Sequence, residues 1–300
     1  MANNETDLLK EQFIRLSKPL DPQPTGEEPR LIHLKGIGTI VFDFYGTLFM
    51  SGVGDIGIDE ENRDPALFTE VFRAAGLTCD ESTGAEALKR FETLVKEQQE
   101  TLKERGIKVP EPDMEEIWTT LLRQLGEDDL LDGDTEEETA RTAAVEFEAR
   151  VNPAWPMPGL DEMLRRLDEP DTELGIISNS QFYTPLLFEA LTKRSIPEMG
   201  FNPNLLHWSW EEGMKKPSLN FYRRFLRRLP AGTDPSSVLY VGNDMLKDIW
   251  PASVLGMKTA LFAGDSRSLK WRRDDDRCHQ LKPDLVVTEL SQIPECLGIS

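Results

Sequence analysis

Cysteine, long apolar runs and positive charge are all scarce in this chain, and each scarcity removes a class of function. Three cysteines occur in 300 residues, Cys79, Cys278 and Cys296, far apart and without a C-x-x-C pair, so neither a zinc site nor a dithiol redox centre is indicated. They read as reduced thiols. No apolar run approaches the roughly 18 residues that a membrane span needs. Basic residues number 34 against 54 acidic ones, a formal net charge of −20, which repels nucleic-acid backbones and anionic membrane surfaces. The one basic cluster, residues 270–273, runs straight into Asp274, Asp275 and Asp276, and such mixed charge predicts a solvated surface loop. The first twelve residues are mostly polar and net acidic, without the basic start and apolar stretch of a secretory signal. The expectation is a soluble, cytoplasmic protein with a small-molecule substrate and no nucleic-acid or membrane partner; its oligomeric state is not written in the sequence.

What is present is core-forming material: 39% of the residues are hydrophobic, and the length exceeds one ordinary core, so a main domain with an insertion is expected. Residues 1–35 read as an extension, a short amphipathic stretch (Leu8, Leu9, Phe13, Leu16) and then a proline-rich segment, expected to pack loosely or stay disordered. Gly38-Thr39-Ile40-Val41-Phe42-Asp43 is a β-rich apolar run with a carboxylate at its end, the pattern of a buried parallel strand. From 64 to 150 no such run occurs. Apolar residues there recur at helical spacing, in Leu67-Val71-Phe72, Leu88-Phe91-Leu94-Val95, Ile117-Leu121-Leu122-Leu125 and Ala144-Phe147, which predicts a four-helix block. After a break at 153–159 the alternation of helix and strand resumes. Helices are predicted over 160–167, 182–193 and 219–229, and strands at 174–179, 205–209, 237–242, 259–262 and 284–287. That rhythm predicts an α/β fold, a doubly wound parallel sheet of Rossmann-like type with an inserted helical domain.

In an open parallel sheet, ligands bind beyond the carboxyl ends of the strands, so polar residues there should converge. Four such places exist: Asp43-Phe44-Tyr45-Gly46-Thr47-Leu48, Ser178-Asn179, Lys216-Pro217 and Gly242-Asn243-Asp244-Met245-Leu246-Lys247-Asp248. Singly each has an ordinary reading. Asp before Gly-Thr can be a turn or cap residue, Ser-Asn can start a helix, lysine is usually on the surface, and two acids four apart can share one exposed helix turn. Their joint order and strand placement carry more weight. Together they resemble the four motifs of the haloacid dehalogenase superfamily, and the helical block stands where that superfamily inserts its C1-type cap. The resemblance spans about residues 36–290 and divides the chain into an extension (1–35), a core (36–50 and 155–300) and a cap (51–154).

The resemblance implies a hydrolase in which Asp43 attacks the substrate and forms a covalent aspartyl intermediate. It implies that Ser178 and Asn179 supply donors to the substrate or transferring group, with Thr47 also in the substrate site, and that Lys216 offsets negative charge there. It further implies a Mg²⁺ ion on Asp43, the Tyr45 carbonyl and Asp244, with Asp248 beside it or holding Lys216; hard carboxylate oxygens suit that ion.

One position departs from the superfamily's phosphatases, which carry a second Asp two residues after the nucleophile, where this chain has Tyr45. A phenol with an ordinary pKa near 10 can give a proton but is a poor base at neutral pH. The D-x-Y-G-T-L form resembles the superfamily's 2-haloacid dehalogenases, which need no metal. Those enzymes, however, generally lack an acid at the position of Asp244 and use an arginine soon after the first motif, where this chain offers only Arg63 and Arg73. Three carboxylates against one lysine favour a cation. The expected function is thus a Mg²⁺-dependent phosphohydrolase acting on a small phosphorylated metabolite. The alternatives are a 2-haloacid dehalogenase-like enzyme and a catalytically impaired binding protein on the same fold.

Overall fold

The computed structural model describes residues 2–53 and 64–299. Among these, strand β1 (Thr39–Phe42) is buried at every position. It lies inside a six-stranded sheet with β4 (Glu173–Ser178), β5 (Phe201–Trp208), β6 (Val238–Gly242), β7 (Lys258–Phe262) and β8 (Leu285–Val287), in the order β5-β4-β1-β6-β7-β8. Every pairing in it is parallel. Strands covered on both faces need continuous apolar runs, which is why TIVF, LGIIS and VLYV read as strands at all. β5 starts at Phe201, earlier than the expected 205, because it is the sheet edge, where Pro203 costs no ladder bond.

The chain leaves and rejoins this core through a short antiparallel ribbon that the sequence did not announce. β2 (Phe49–Ser51) pairs with β3 (Ala154–Pro156), and Ser51 Oγ donates to Asn152 Oδ1 at 2.7 Å. Between them lie α2 (Pro65–Ala74), α3 (Thr83–Glu104), α4 (Met114–Glu127) and α5 (Glu137–Val151), the expected four helices. Asp64 and Asp113 cap α2 and α4 through their side-chain oxygens. Each helix sends an aromatic ring into one cluster: Phe68 and Phe72, Phe91, Trp118 and Phe147, with centroids 5.3–6.5 Å apart. Helical spacing identified these helices because each has one apolar face turned to the shared centre.

The extension corrects the expectation of loose packing. Residues Ala2–Leu16 form helix α1, with Leu9 and Phe13 only 1% exposed. α1 reaches both parts of the fold: Arg15 pairs with Glu146 of α5, while Lys10 Nζ lies 2.8 Å from Glu189 of α7 (Thr184–Thr192). The proline-rich stretch is held by backbone bonds and by the Thr25 and Glu27 side chains. Gln23 O accepts from Ser266 N–H at 2.9 Å, Asp21 O from Arg267 at 2.8 Å, and Arg30 forms a bridge with Val286. Proline excludes helix there, yet its neighbours' carbonyls remain good acceptors, so the segment is laid down extended along the core. Among the described residues no helix is long and apolar enough to cross a membrane, and all three cysteines are free thiols.

Docking of α1 makes Phe13 a structural residue. Phe13→Ala should lower unfolding stability by about 3 kcal/mol or more, the usual cost of deleting a buried ring, whereas Leu8→Ala, on the exposed face, should cost under about 0.5 kcal/mol. Urea unfolding of the two variants measures both. Equal small losses would mean that α1 contributes nothing to the fold.

Candidate active site

The strand order reverses at β1: the chain runs outward to β4 and β5 on one side, then crosses to β6, β7 and β8 on the other. The crevice beyond the carboxyl ends of β1 and β6 is therefore the switch point, where an open α/β sheet binds ligands. Asp43 follows β1, Asn243 and Asp244 follow β6, and Ser178 ends β4. Lys216 comes from the loop before α9 (Leu219–Leu226). The four motif regions thus meet at one sheet edge.

At its centre is a buried ion-pair chain. Lys216 Nζ, 3% exposed as a residue, lies 2.7 Å from Asp43 Oδ1 and 2.6 Å from Asp248 Oδ1. Asp43 Oδ1 also accepts from Ser178 Oγ at 2.9 Å and from the Phe44 N–H at 2.8 Å. Three donors on one oxygen fix the carboxylate, and among the described residues Oδ2 has no donor. Asp248 is fully buried, with Tyr240 Oη 3.1 Å from Oδ1 and the Asp244 N–H donating to Oδ2 at 2.9 Å. Burial pushes its carboxyl up to about 7, opposed by Lys216. Burial likewise works against the Lys216 ammonium, but Asp248 and Asp43 outweigh it and hold its pKa above the ordinary lysine value. The ion pair is the resting form, since both Asp248 oxygens already accept hydrogen bonds. Gly242 makes the room: a Cβ there would stand 2.5 Å from the Asp248 carboxyl carbon.

Asp244 is placed differently. Its Oδ1 accepts from the N–H groups of Leu246 and Lys247, capping the turn Met245–Ile249, so the two acids lie on a buried turn rather than an exposed helix face. Arg272 then closes over it, with Nε 3.1 Å and Nη2 2.7 Å from Oδ2. This corrects the reading of residues 270–276 as a purely solvated loop. Backbone bonds Met245 N–H to Lys270 O (2.9 Å) and Lys270 N–H to Asn243 O (3.0 Å) dock that loop against the site. It also amends the charge count, which becomes three carboxylates against two cations. Among the described residues no three His, Cys, Asp or Glu side chains converge as a metal cluster. A site of two carboxylates and the Tyr45 carbonyl is a smaller demand, and its all-oxygen chemistry fits Mg²⁺ with water completing the shell. Asp43 Oδ2 is available for it; Asp244 would have to share or exchange Arg272.

The expected site residues lie within the span matched by a protein-family model, haloacid dehalogenase-like hydrolase, over residues 37–256. The chain belongs to that family. It is a hydrolase of the haloacid dehalogenase superfamily, with the Rossmann-like sheet and helical insertion its sequence implied. No curated protein matches the chain. Among solved structures, it is similar to the HAD hydrolase YfnB of Bacillus subtilis bound to magnesium, at 14% identity over 90% of this chain and 100% of that one, TM-score 0.46. It is similar to 2-haloacid dehalogenase of Pseudomonas syringae at 20% identity, covering 87% and 98%, TM-score 0.49. A HAD phosphatase of Thermococcus onnurineus is similar at 18% identity, covering 87% and 98%, TM-score 0.46. Identities this low leave the chemistry of this family member to its own residues.

Two residues expected in the substrate site bond within the protein. Thr47 is fully buried and donates to Asn243 Oδ1 at 3.2 Å, which ties the first motif to the last. Gly46 beside it, at φ +81°, could carry no side chain, since a Cβ would stand 2.6 Å from Ser268 Cβ. The Ser178 hydroxyl, also buried, is committed to Asp43. Asn179 holds the Lys216 backbone, accepting its N–H at 2.8 Å through Oδ1, which leaves its amide nitrogen as a donor. Tyr45 is buried with Oη 3.1 Å from Thr184 Oγ1, and burial, with the nearby Glu148 charge, pushes its pKa well above 10. Arg73 is exposed at the end of α2, away from these groups, and Arg63 lies outside the described residues.

Lys216→Met tests the ion-pair chain. A carboxyl whose folded pKa is raised above its unfolded value near 4 contributes stability at low pH that is lost as pH climbs through that interval. Asp248 already sits near 7, and removing Lys216 must raise it further. The variant should therefore lose roughly 3–5 kcal/mol at pH 8, the cost of orphaning a buried charge, and distinctly less at pH 5. Urea unfolding at the two pH values gives the comparison; equal losses would contradict a charged Lys216–Asp248 pair.

Proposed function

We propose that this hydrolase cleaves small phosphate monoesters through a covalent aspartyl phosphate, with Mg²⁺ as cofactor. The observation that carries the reading is the Asp43 carboxylate, held at Oδ1 by Ser178, Lys216 and the Phe44 N–H, with Oδ2 uncommitted, at a sheet edge it shares with the second acid, Asp244. On this reading Asp43 Oδ2 attacks phosphorus, a phosphorus–oxygen bond forms, and the ester oxygen departs. The departing oxygen takes up a proton to leave as the alcohol; water then attacks the same phosphorus, gives a proton to solvent, and the bond from phosphorus to Asp43 Oδ2 breaks, which releases phosphate and restores Asp43. Lys216 and the Asn179 amide offset charge on the phosphoryl oxygens. Asp43, the Tyr45 carbonyl and Asp244 are the groups that would hold Mg²⁺, whose contribution when bound is to neutralise phosphoryl charge. Residues 51–154 act as the cap over a core made of 36–50 and 155–300.

Tyr45 sets the limit on this chemistry. Its phenol, protonated at any working pH, can at most donate to the leaving oxygen, and it cannot take the proton of the attacking water. A dehalogenase reading would need an arginine for the substrate carboxylate; among the described residues the exposed Arg73 does not meet that need, and Arg63 lies outside them.

A panel of phosphate esters and 2-haloacids, assayed with and without Mg²⁺, tests the reaction class. Phosphate esters should turn over only with Mg²⁺, and Asp43→Asn should abolish it; turnover of haloacids without metal would overturn the proposal. Tyr45→Asp should raise turnover of alkyl phosphates by about 10²-fold or more, the ordinary worth of a positioned acid or base, and that of aryl phosphates by less. No change on either, in a folded variant, would mean that another residue does this work.

Metal binding is tested by calorimetry. Asp244→Ala should abolish Mg²⁺ binding, whereas Arg272→Ala, by freeing the Asp244 oxygens, should tighten it. Equal affinities in the three proteins would remove Asp244 from the metal site.

A further inference from the structure

A cavity of about 430 Å³ lies between the inserted helices and the core. Its volume falls near the lower end of small-molecule sites. Core segments that carry the motifs contribute Tyr183 and Lys215, the latter adjacent in sequence to Lys216; the helices contribute Phe91, Trp118 and Phe147. The walls are thus aromatic, and aromatic faces attract cations as well as apolar groups.

Among the described residues that line this cavity, three carboxylates, Glu92, Glu111 and Glu148, stand with two ammonium groups, Lys96 and Lys215. Glu111 has Lys215 Nζ 3.5 Å away, and Glu92 and Lys96 stand one turn apart on α3. Glu148 is left over. It is 7% exposed, and its oxygens accept from Tyr183 Oη at 2.9 Å and Asn152 Nδ2 at 3.0 Å, both neutral donors. Burial raises its pKa, the cost of a carboxylate held without a counter-charge. For packing alone, a buried acid with only neutral partners is worse than an amide or an apolar residue. It becomes useful when a ligand brings the missing cation. The lining also includes Gln181, two residues from Asn179, and Lys215, next to Lys216, and Glu148 acts electrostatically on the Tyr45 phenol, two residues from Asp43.

We propose that this cavity takes an ammonium group on the alcohol part of the substrate, paired with Glu148 and faced by the aromatic walls, while the phosphate reaches Asp43. The inference rests on the phosphohydrolase reading for its phosphate half only. Glu148 is then a specificity residue of the cap, selecting amino-bearing phosphate monoesters over neutral ones of the same shape.

The test compares 4-(aminomethyl)phenyl phosphate with 4-ethylphenyl phosphate, and benzylamine with benzyl alcohol as binding probes that need no turnover. The native enzyme with Mg²⁺ should favour the amino ester by on the order of 10- to 100-fold in kcat/KM, the range of a buried charge pair, and Glu148→Gln should collapse that ratio. By calorimetry, benzylamine should bind the native protein and benzyl alcohol more weakly by a similar factor. Equal rates for the two esters, or equal binding of the two probes to native protein, would overturn the ammonium site while leaving the phosphohydrolase intact. Selective benzylamine binding without hydrolysis of either ester would uphold the cavity's cation preference and overturn the phosphate reading instead. The native-protein arms hold even if Glu148→Gln fails to fold.

Discussion

One ammonium group between two carboxylates governs this structure. Bringing Lys216, Asp43 and Asp248 out of water is costly, and the cost is offset by partners for their polar atoms. Much of the surrounding architecture supplies them. Asn179 fixes the Lys216 backbone, Tyr240 and the Asp244 N–H complete Asp248, and Ser178 with the Phe44 N–H holds Asp43 at Oδ1. Gly242 has no side chain because the Asp248 carboxyl fills the space a Cβ would take. Three parallel strands and one loop must therefore end at matched heights, and the apolar strands β1, β4 and β6 are what hold them there.

The same economy explains why Asp244 and Asp248, four residues apart, have different characters. Asp248 turns inward to Lys216 and is used up by it. Asp244 caps its own turn through Oδ1 and meets Arg272 through Oδ2, a contact on a half-buried guanidinium that solvent or an ion can contest. A carboxylate held by backbone donors keeps its direction when one side-chain partner leaves. On the proposed reading this is what a metal ligand requires: a fixed oxygen whose counter-ion can be exchanged.

How much of this the sequence disclosed depends on the range of the interaction. β1, β4 and β6 were legible because both faces are buried and the apolar run is continuous, and the four inserted helices because each turns one apolar face to the Phe91–Trp118–Phe147 cluster. Asp43, Lys216, Asp244 and Asp248 were legible as strand-end residues in family order. Arg272 was not: it lies beyond the matched span, in a run of alternating charge, and only the pairing of Lys270 with Asn243 and Met245 brings it to the site. The docking of the extension was hidden for a related reason. Prolines remove local structure, but the bonds that hold 21–30 are made to distant residues, by backbone groups that no sequence pattern marks and by the Thr25 and Glu27 side chains. Glu148 was invisible too, since a glutamate on a helix reads as solvent-facing until its burial is seen.

The proton inventory of the site follows from these commitments. Asp248 has both oxygens occupied, Asp244 is held by two backbone N–H groups and Arg272, and Glu148 by Tyr183 and Asn152. Tyr45, where the family's phosphatases carry a second acid, keeps its proton and leans on Thr184. Among the described carboxylates nearest the nucleophile, only Asp43 Oδ2 is without a donor, and on the proposed route that oxygen becomes bonded to phosphorus. On that route, forming the intermediate draws on a carboxylate already oriented by three donors, while resolving it requires a base, and among the described residues the carboxylates just named are already engaged. If the proposed route holds, hydrolysis of the aspartyl phosphate, rather than its formation, is the step on which Tyr45 bears most, since its phenol keeps its proton.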